Sequence, residues 1–322
     1  MEGRAASMAY PSCSVIITTC DRPDELRRSI ASVIGQTVRP QELIVVDDYS
    51  SHPNESAVAE YSGNGLKIHY HRLTQRSGAS AARNAGARLA SGEILMFLDD
   101  DDVWEPRKVE TQLSLFATHH EAAAVYTGML AVDDTNGGKV LHASRDHLSG
   151  KTWPQILFRN FVGPTSAVAM RAQVFHDLGG FDQQLPALQD YDLWLRLSMA
   201  GPMLYDGAHN LRFSAISASA SRISQNPRKY QEGFAYLRRK YRSELSSLTP
   251  WQRRHFRAQS KLVEASKYLE QADHADAVAQ MILAIGLYPP IVGRLSRALV
   301  RTVLRDPPFI AHAQTVHRER RP

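Results

Sequence analysis

The segment that decides the fold is CSVIITTCDRPDELRRSIASVIGQTVRPQELIVVDD, residues 13–48. A short apolar run is followed by a stretch with apolar side chains at helical spacing, and then by a second apolar run that ends in two aspartates. The predicted apolar helix face consists of Leu26, Ile30, Val33 and Ile34. Pro23 suits the first turn of that helix. The segment therefore predicts a β-α-β unit with parallel strands.

The same alternation continues down the chain. Residues 67–71 and the apolar run at 93–98 predict two more strands, separated by the small-residue loop and helix SGASAARNAGARLASG. Nearly all-apolar strands are typical of a parallel sheet covered on both faces. The second half predicts further elements: helices at 106–119 and 173–178, strands at 123–132 and 165–170, and a helix that begins at Asp190. We therefore predict an α/β fold with a doubly wound, mostly parallel sheet and a mixed second half.

Length, composition and charge indicate a core domain with an appendage. The chain has 322 residues, of which 43% are hydrophobic and 22% charged. We predict a disordered N-terminus at 1–11, a main domain at 12–224 and a basic helical extension at 225–322. Residues 1–224 carry 20 basic and 25 acidic groups, whereas the extension carries 18 basic and 8 acidic groups. This asymmetry predicts a different partner for the extension than for the main domain.

Targeting signals are missing from the sequence, and we expect a cytoplasmic protein. The first eleven residues lack the apolar core of a secretion signal, and no run approaches the roughly 18 apolar residues of a membrane helix. The segment 289–305 fits a basic amphipathic helix. Two interpretations of it stay open: contact with an anionic membrane, which would place the protein on the inner face of the plasma membrane, or packing on the protein core. No nucleic-acid partner is expected, because the basic residues are not interleaved with stacking aromatic residues.

Polar residues follow three of the predicted strands. Ligands of open α/β sheets bind at the carboxyl ends of the strands, where Thr18, the pair Asp47-Asp48 and the run 99–102 lie. Four adjacent carboxylates repel one another, and their hard oxygens favour Mg²⁺ or Mn²⁺. Alternation along an extended chain puts Asp99 and Asp101 on one side. The alternatives are that Asp102 caps the helix that Pro106 helps to start, and that Asp47 and Asp48 only form a turn.

Four blocks of the sequence resemble glycosyltransferase family 2 of the GT-A fold, in the family's order, over about residues 12–220. They are SVIITTCDRPDELRRSIASVIGQT, ELIVVDDYS, GASAARNAGARLASGEILMFLDDDDVWEPRKVETQ and GGFDQQLPALQDYDLWLRL. The resemblance implies an enzyme that transfers a sugar from a nucleotide-sugar, by preference a UDP-sugar, to a saccharide or lipid-linked acceptor with inversion and with Mn²⁺ or Mg²⁺. It also implies a bacterial role in cell-surface polysaccharide or glycolipid synthesis.

The resemblance implies a role for particular residues. Asp99 and Asp101 would form the metal-binding D-x-D motif, and Asp190 would be the base that deprotonates the acceptor. The implied nucleotide and donor site comprises Thr18, Asp47, Asp48, Arg83, Asn84, Asp99 and Asp100. Within it, Asp47 would contact the nucleobase. Without the resemblance, Asp190 and Asp192 have a second interpretation, as carboxylates that stabilise a helix start.

The sequence departs from the family pattern at Gln189, where a glutamate is usual, and at Cys20, where an aromatic or other polar residue is common. The family's histidine after the last core strand has no counterpart in Leu211-Arg212-Phe213-Ser214-Ala215, so no third metal ligand is predicted. Two functions are alternatives to a glycosyltransferase. A sugar nucleotidyltransferase would carry a glycine-rich loop after the first strand, and TTCDRPDEL contains no glycine. A non-catalytic nucleotide-sugar-binding scaffold is suggested by Gln189 alone.

Overall fold

The structure is a computed structural model that describes residues 9–216 and 226–293 of the chain. The chain divides into two compact units, Met1–Arg222 and Ile223–Pro322. Most of the N-terminal segment that we expect to be disordered, residues 1–8, lies outside the described residues. The predicted domain boundary at 224 lies outside them as well.

The first unit alternates strands and helices through its N-terminal half. In chain order these elements are β1 (Cys13–Thr19), α1 (Pro23–Ile34), β2 (Glu42–Asp47), α2 (Glu55–Ala59), β3 (Lys67–Arg72), α3 (Ala79–Leu89), β4 (Ile94–Asp99), β5 (Val103–Trp104) and α4 (Lys108–Thr118). The rest of the unit comprises β6 (Ala124–Tyr126), β7 (Met129–Asp133), β8 (Lys139–Ala143), α5 (Gln155–Phe158), β9 (Val168–Arg171), α6 (Ala172–Asp177), α7 (Gln189–Ala200), β10 (Met203–Tyr205) and β11 (Leu211–Ile216).

The main sheet has seven strands in the order β10-β6-β9-β4-β1-β2-β3. The four strands β4, β1, β2 and β3 are mutually parallel, and β9 runs antiparallel to both β4 and β6. All residues of β2, and all of β4 before Asp99, are buried, as expected for strands covered on both faces. The predicted α/β fold with a mostly parallel sheet is confirmed.

The predicted strand 123–132 is wrong as a single element. It forms β6 in the main sheet and β7 in a second, four-stranded sheet of order β5-β11-β7-β8. The break falls at Thr127 and Gly128. A Cβ atom at Gly128 would lie 2.7 Å from the ring of His209 and 2.9 Å from the carbonyl oxygen of Ala208. The crossing of these two segments is a tertiary contact, which an apolar run in the sequence does not reveal. The predicted strand 165–170 likewise begins as a 3₁₀ turn at Thr165–Ala167.

Small residues let α3 approach the sheet closely. A Cβ atom at Gly86 would lie 2.4 Å from the side chain of Ile16 on β1 and 3.1 Å from that of Val46 on β2. The helix therefore packs directly over the two central strands. Its position fixes Arg83, one helical turn before Gly86, near the carboxyl ends of those strands.

The second unit is helical in its described part: α8 (Pro227–Lys240), α9 (Arg242–Ser247), α10 (Pro250–Glu270) and α11 (His274–Leu287). The sequence marks the helix starts clearly. Asn226 caps α8, and Thr249 and Gln252 form a reciprocal capping box at the start of α10. Ala258, Ala284 and Ile291 form a buried cluster between α10, α11 and the turn that follows.

Most of the predicted basic helix at 289–305 lies outside the described residues. Pro289–Ile291 forms a 3₁₀ turn, while its arginine face, Arg294, Arg297, Arg301 and Arg305, lies outside the described residues. Within residues 9–216 and 226–293, no helix is long and apolar enough to cross a membrane.

Candidate active site

The carboxyl ends of three parallel strands meet at one edge of the main sheet. Thr18 on β1 is in register with Asp99 on β4, and the next residue, Thr19, is in register with Asp47 on β2. The predicted residues Thr18, Asp47 and Asp99 are therefore neighbours in the sheet. The parallel order of the strands produces this arrangement, as expected from the sequence.

Asp47 is fully buried, and both of its carboxylate oxygens accept hydrogen bonds. It accepts hydrogen bonds from the backbone N–H of Ser50 (2.7 Å), from the backbone and side-chain N–H groups of Asn54 (3.1 and 3.2 Å) and from the hydroxyl of Tyr70 (2.7 Å). Burial opposes the charge, but these donors outweigh it and hold the pKa of Asp47 below its usual value. In this conformation Asp47 organises the loop after β2. The direct contact with a nucleobase that the resemblance implies stays a prediction that this geometry does not favour.

Asp48 fixes the loop that leads into α3. Its two carboxylate oxygens accept the backbone N–H groups of Ser77 (2.7 Å) and Gly78 (2.8 Å). Gly78 has φ 86°, in the left-handed region where a side chain would be strained, directly before the first residue of α3. The turn interpretation of Asp47 and Asp48 thus describes contacts that are present. These contacts also set where α3 begins and hence where Arg83 lies.

Arg83 lies among the carboxylates of the site. Its Nη2 donates to Asp99 Oδ1, and its guanidinium lies 5.4 Å from the ring centre of Phe181. Burial disfavours the charge, but the field of Asp99, Asp190 and Asp100 keeps the pKa of Arg83 above its usual value. Its buried Nε has no hydrogen-bond partner among the described residues. A buried, unpaired N–H beside carboxylates is a candidate donor to an incoming anionic or hydroxyl-rich ligand.

Asn84 makes structural contacts with the GGFD turn. Its side-chain amide donates to the carbonyl of Phe181 (2.8 Å) and accepts the backbone N–H of the same residue (2.9 Å). A Cβ atom at Gly180 would lie 2.6 Å from its Oδ1. The amide therefore ties α3 to that turn, and its contact with the donor stays a prediction.

The acidic run at the end of β4 lies against an arginine from the exit of β1. Arg22 Nη1 lies 3.2 Å from Asp100 and 3.3 Å from Asp101. Burial raises the pKa of Asp100 to about 7, against the opposing field of Arg22 and with the help of the neighbouring carboxylates Asp101 and Asp99. Burial and the adjacent carboxylates thus outweigh the attraction of Arg22 at Asp100.

Asp102 does not cap a helix, so that alternative interpretation is wrong. The helix α4 begins at Lys108 with Arg107 at the capping position, and β5 lies between it and Asp102. Asp102 is buried and accepts the backbone N–H of Ser214 on β11 (3.2 Å). Burial, together with Asp101 and Asp99, raises its pKa well above the usual value. It joins the acidic strand end to the second sheet.

Asp190 lies in the first turn of α7. The residue before the helix, Leu188, has φ 68°, an uncommon conformation for a residue with a side chain. Asp190 is half-buried, and its Oδ1 accepts the N–H of Tyr191 (2.7 Å). Burial raises its pKa, with Asp99 adding to the effect and Arg83 opposing it. The structure thus brings Asp190 into electrostatic contact with Arg83 and Asp99, which come from distant parts of the chain.

The residues around Asp190 on α7 are structural. Asp192 is fully buried and forms a 2.6 Å ion pair with Arg196. Trp194, Leu195 and Leu197 are buried, as the helical spacing predicts. Gln189 donates from Nε2 to the carbonyl of Leu185 (3.1 Å), a bond that an ionised glutamate does not make. The glutamine at position 189, where the family pattern has a glutamate, therefore ties the start of α7 to the preceding loop.

The residues at the strand end fit a divalent ion that is shared with a ligand. Among the residues that the structure describes, no group of three or more His, Cys, Asp or Glu side chains is placed to hold a metal. Mg²⁺ in phosphate-transfer sites commonly uses one or two carboxylates, with substrate phosphates and waters as its other ligands. Asp99 and Asp101 supply such carboxylates, and Asp100 lies between them in the chain.

Sequence reasoning missed several residues of the site. Arg22 lies three residues after the first strand, and a cation at that strand exit is the one signal that identifies it as a partner of the acidic run. The hydroxyl of Ser166 accepts the backbone N–H of Asp99 (3.0 Å) and is hydrogen-bonded to Asp102, and its carbonyl accepts Trp104 Nε1 (2.9 Å). Ser166 lies 67 positions from Asp99, so no local pattern could have identified this contact.

Comparison with known proteins places the chain in a family. A family model described as glycosyl transferase family 2 matches residues 14–179, and the chain belongs to that family. WcaA of Escherichia coli K12, named for colanic acid biosynthesis, is 29% identical over 71% of this chain and 81% of its own. TuaG of Bacillus subtilis, named for teichuronic acid biosynthesis, is 30% identical over 61% of this chain and 75% of its own.

The fold matches a glycosyltransferase of known structure. Staphylococcus aureus TarS 1–349, solved in complex with UDP-GlcNAc, superposes with a TM-score of 0.55 at 17% identity, over 84% of this chain and 89% of that one. The GT-A-like fold expected from the resemblance is thereby confirmed. Other relatives are much longer. An uncharacterized glycosyltransferase of Rickettsia bellii is 27% identical over 76% of this chain, and the aligned region spans 39% of its length.

Proposed function

We propose that this chain is an inverting glycosyltransferase that transfers a sugar from a nucleoside diphosphate sugar to a hydroxyl of a saccharide or lipid-linked acceptor, with a divalent metal. The observation that carries the proposal is the cluster of Asp190, Arg83 and Asp99, in which burial raises the pKa of Asp190. Family membership supports the class of reaction. The complex of TarS with UDP-GlcNAc supports a UDP-sugar as donor.

Asp190 is the proposed base. In a single displacement, the acceptor hydroxyl gives its proton to the Asp190 carboxylate while its oxygen forms a bond to the anomeric carbon. The bond between that carbon and the phosphate oxygen breaks, and its electron pair leaves with the nucleoside diphosphate. One displacement inverts the anomeric centre. A base is most effective when its pKa approaches the working pH, so the raised pKa of Asp190 suits this role.

The donor site is proposed at the acidic strand end. Asp99 and Asp101 would hold Mg²⁺ or Mn²⁺ together with the donor diphosphate, and the ion would neutralise charge on the leaving group. Arg83 adds a buried cation and an unpaired N–H on the same side. Arg22 brings a second guanidinium to Asp100 and Asp101.

The nucleotide is proposed to lie beside the loops after β1 and β2. Thr18 is next to Asp99 in the sheet, and Asp48 holds the loop that positions α3. Tyr49 is exposed, with φ 59°, and the guanidinium of Arg72 lies 4.6 Å from its ring centre. An exposed aromatic ring at this edge is a surface on which a base can stack. Cys20, at the exit of β1, does not provide such a ring.

The biological setting is proposed from the relatives. WcaA and TuaG are named for the biosynthesis of two bacterial surface polysaccharides. A cell-surface saccharide or its lipid-linked precursor is therefore the proposed acceptor. Synthesis at the cytoplasmic face of the plasma membrane, with the basic segment 289–305 as a membrane contact, remains part of the proposal and is supported by the sequence pattern alone.

A panel of nucleotide-sugars with Mn²⁺ or Mg²⁺ tests the function. Wild-type protein should release nucleoside diphosphate from one donor in a metal-dependent reaction, and acceptor extracts should increase the rate. Asp190→Asn should lower the rate by about 10²–10⁴-fold with unchanged UDP affinity. Asp177→Asn removes an exposed carboxylate on α6 and is the matched control. Nuclear magnetic resonance of the product should show the inverted anomer.

Two results would contradict the proposal in different ways. Nucleotide binding without turnover of any donor, even with acceptor extracts, would favour the scaffold alternative. Equal turnover by wild type and Asp190→Asn would keep the transferase and move the base to another residue.

A further inference from the structure

A cavity of about 260 Å³ lies within the C-terminal unit. It is formed by the end of α8, the short helix α9 and the first two turns of α10. Four arginines and two apolar side chains are part of its lining: Arg238, Arg242, Arg253, Arg257, Leu245 and Phe256. Among the described residues, no carboxylate lines the cavity, and the charged groups of its lining are all arginines.

Hydrogen bonds to the backbone orient one of the four arginines. Arg253 is oriented by the backbone, since its Nη1 donates to the carbonyls of Ser246 (3.0 Å) and Leu248 (2.7 Å). Among residues 226–293, no carboxylate forms an ion pair with Arg238, Arg242 or Arg257. Arg253 and Arg257 are four residues apart on one helix, where like charges repel.

Arg238 is the partly buried arginine of the cavity. Burial lowers its pKa, Glu264 opposes this, and the nearby Arg257 and Arg239 add to it. The carboxylate of Glu264 also lies 2.7 Å from Lys261, and Glu264 and Glu244 are both outside the lining. An anion bound in the cavity would offset the burial of Arg238 and its repulsion from Arg257.

The cavity selects a chemical class of ligand. Guanidinium groups bind phosphate oxygens with paired hydrogen bonds, and arginine is favoured wherever planar recognition of phosphate is needed. A volume near 260 Å³ is at the small end for ligand pockets and suits a diphosphate or one phosphorylated unit. Phe256 is buried and packs edge-on against Phe234, which gives the cavity a fixed apolar wall.

We propose that this arginine-lined cavity is a binding site for a phosphate-bearing ligand, a phosphomonoester or a diphosphate, separate from the donor site of the first unit. The phosphate belongs either to a soluble metabolite or sugar phosphate, or to the head group of a lipid. The proposal does not depend on the transferase activity, because it rests on residues of the C-terminal unit alone.

Calorimetric titration of the full-length protein with inorganic pyrophosphate tests the site. The buffer has low salt and contains a chelator, so that no metal carries pyrophosphate to Asp99 and Asp101. Arg238→Gln with Arg257→Gln should raise the Kd at least tenfold. The control, Arg239→Gln with Arg254→Gln, removes the same charge from the neighbouring positions outside the cavity and should change the Kd less than twofold. Thermal melting of both double variants checks that they fold.

A milder variant keeps the test valid if the double variant unfolds. Arg242→Gln changes an exposed side chain of the lining and should raise the Kd about threefold. Absence of pyrophosphate binding by the wild type would overturn the proposal. An equal loss of affinity in the cavity variants and the control would also overturn it, because general charge would then explain the binding.

Vesicles identify the source of the phosphate. Phosphatidylcholine vesicles with phosphatidic acid are sedimented with each protein, with and without pyrophosphate. Cosedimentation that is lost in the cavity variant and displaced by pyrophosphate supports the site and assigns it to a lipid head group. Equal cosedimentation of all variants, with pyrophosphate affinity lost only in the cavity variant, supports the site and assigns it to a soluble ligand.

Discussion

Two aspartates at the same edge of the main sheet have opposite environments. Asp47, the last residue of β2, is surrounded by neutral donors from Ser50, Asn54 and Tyr70, and its pKa is lowered. Asp100, after β4, is also buried, but its main partner is Arg22, which it shares with Asp101, and its pKa is raised to about 7. Burial is the largest effect at both sites. The number of hydrogen-bond donors decides the direction of the shift.

This difference suggests different roles for the two carboxylates. Asp47 is tied to its loop by four hydrogen bonds. Asp100 belongs to a run of carboxylates that a cation would stabilise, and strongly perturbed groups gather at functional sites. The comparison therefore predicts that substitutions at β4 change function and that substitutions at β2 change stability.

The largest effect is expected for Asp101→Ala. Removing one of two proposed metal carboxylates should lower donor turnover by about a thousandfold, which corresponds to roughly 4 kcal/mol. It should also abolish the increase in UDP affinity on addition of Mn²⁺, measured by calorimetry. The free energy of unfolding without metal should not fall, because the substitution relieves repulsion. Unchanged UDP affinity with and without Mn²⁺ in wild type and variant alike would remove the metal from the proposal.

The next largest effect is expected for Asp47→Ala. The buried donors of Ser50, Asn54 and Tyr70 would lose their acceptor, and the free energy of unfolding should fall by about 3 kcal/mol. Urea unfolding measures the change. Tyr70→Phe removes one of these bonds and should cost about 1–2 kcal/mol. If Asp47→Ala were as stable as wild type but failed to bind UDP, the contact with the base implied by the resemblance would be favoured over the loop role.

A smaller effect of opposite sign is expected for Asp100→Asn. Because the folded-state pKa of Asp100 lies above its unfolded value, its contribution to stability is present at low pH and is lost as the pH rises from about 4 to about 7. In metal-free protein at pH 8, Asp100→Asn should raise the free energy of unfolding by roughly 1–3 kcal/mol. It should also flatten the decline of stability between pH 5 and 7.5, followed by urea unfolding.

The contribution of Asp47 to stability should depend on pH in the opposite sense to that of Asp100. Its lowered pKa gives stability that is present above about pH 4 and is lost as the pH falls further. Asp47→Asn should therefore flatten only the acid limb of the same stability curve. Identical pH profiles for the two variants would mean that the two carboxylates do not differ as described.

The smallest effect concerns the pH profile of activity. The acid limb of kcat/KM should lie above the usual range of a carboxylate, because burial raises the pKa of Asp190. Arg83 opposes this shift, so Arg83→Gln should move the limb to higher pH, whatever its effect on the rate. Arg88→Gln, on the same helix, is the control and should leave the limb in place. A limb that does not move with Arg83 would indicate that another group titrates.

The sequence predicted those elements whose signals are local. Apolar runs identified β1, β2 and β4, and the periodicity of α1 correctly placed Leu26, Ile30 and Val33 in the core. It failed where a distant segment intervenes. The run 123–132 divides between two sheets because the chain near Ala208 and His209 crosses at Gly128, and Asp102 is drawn to Ser214 on β11 instead of capping α4.

For the candidate site, the sequence by itself determined which side chains collect at the sheet edge. Parallel strands must end on the same side, so Thr18, Asp47 and Asp99 become neighbours whatever the loops do. Only the tertiary structure decided which donors and cations contact each carboxylate. Hydrogen-bond donors such as Tyr70, and cations such as Arg22 and Arg83, reach these carboxylates from other elements. The balance between burial and those contacts is a property of three-dimensional packing, which no local pattern encodes.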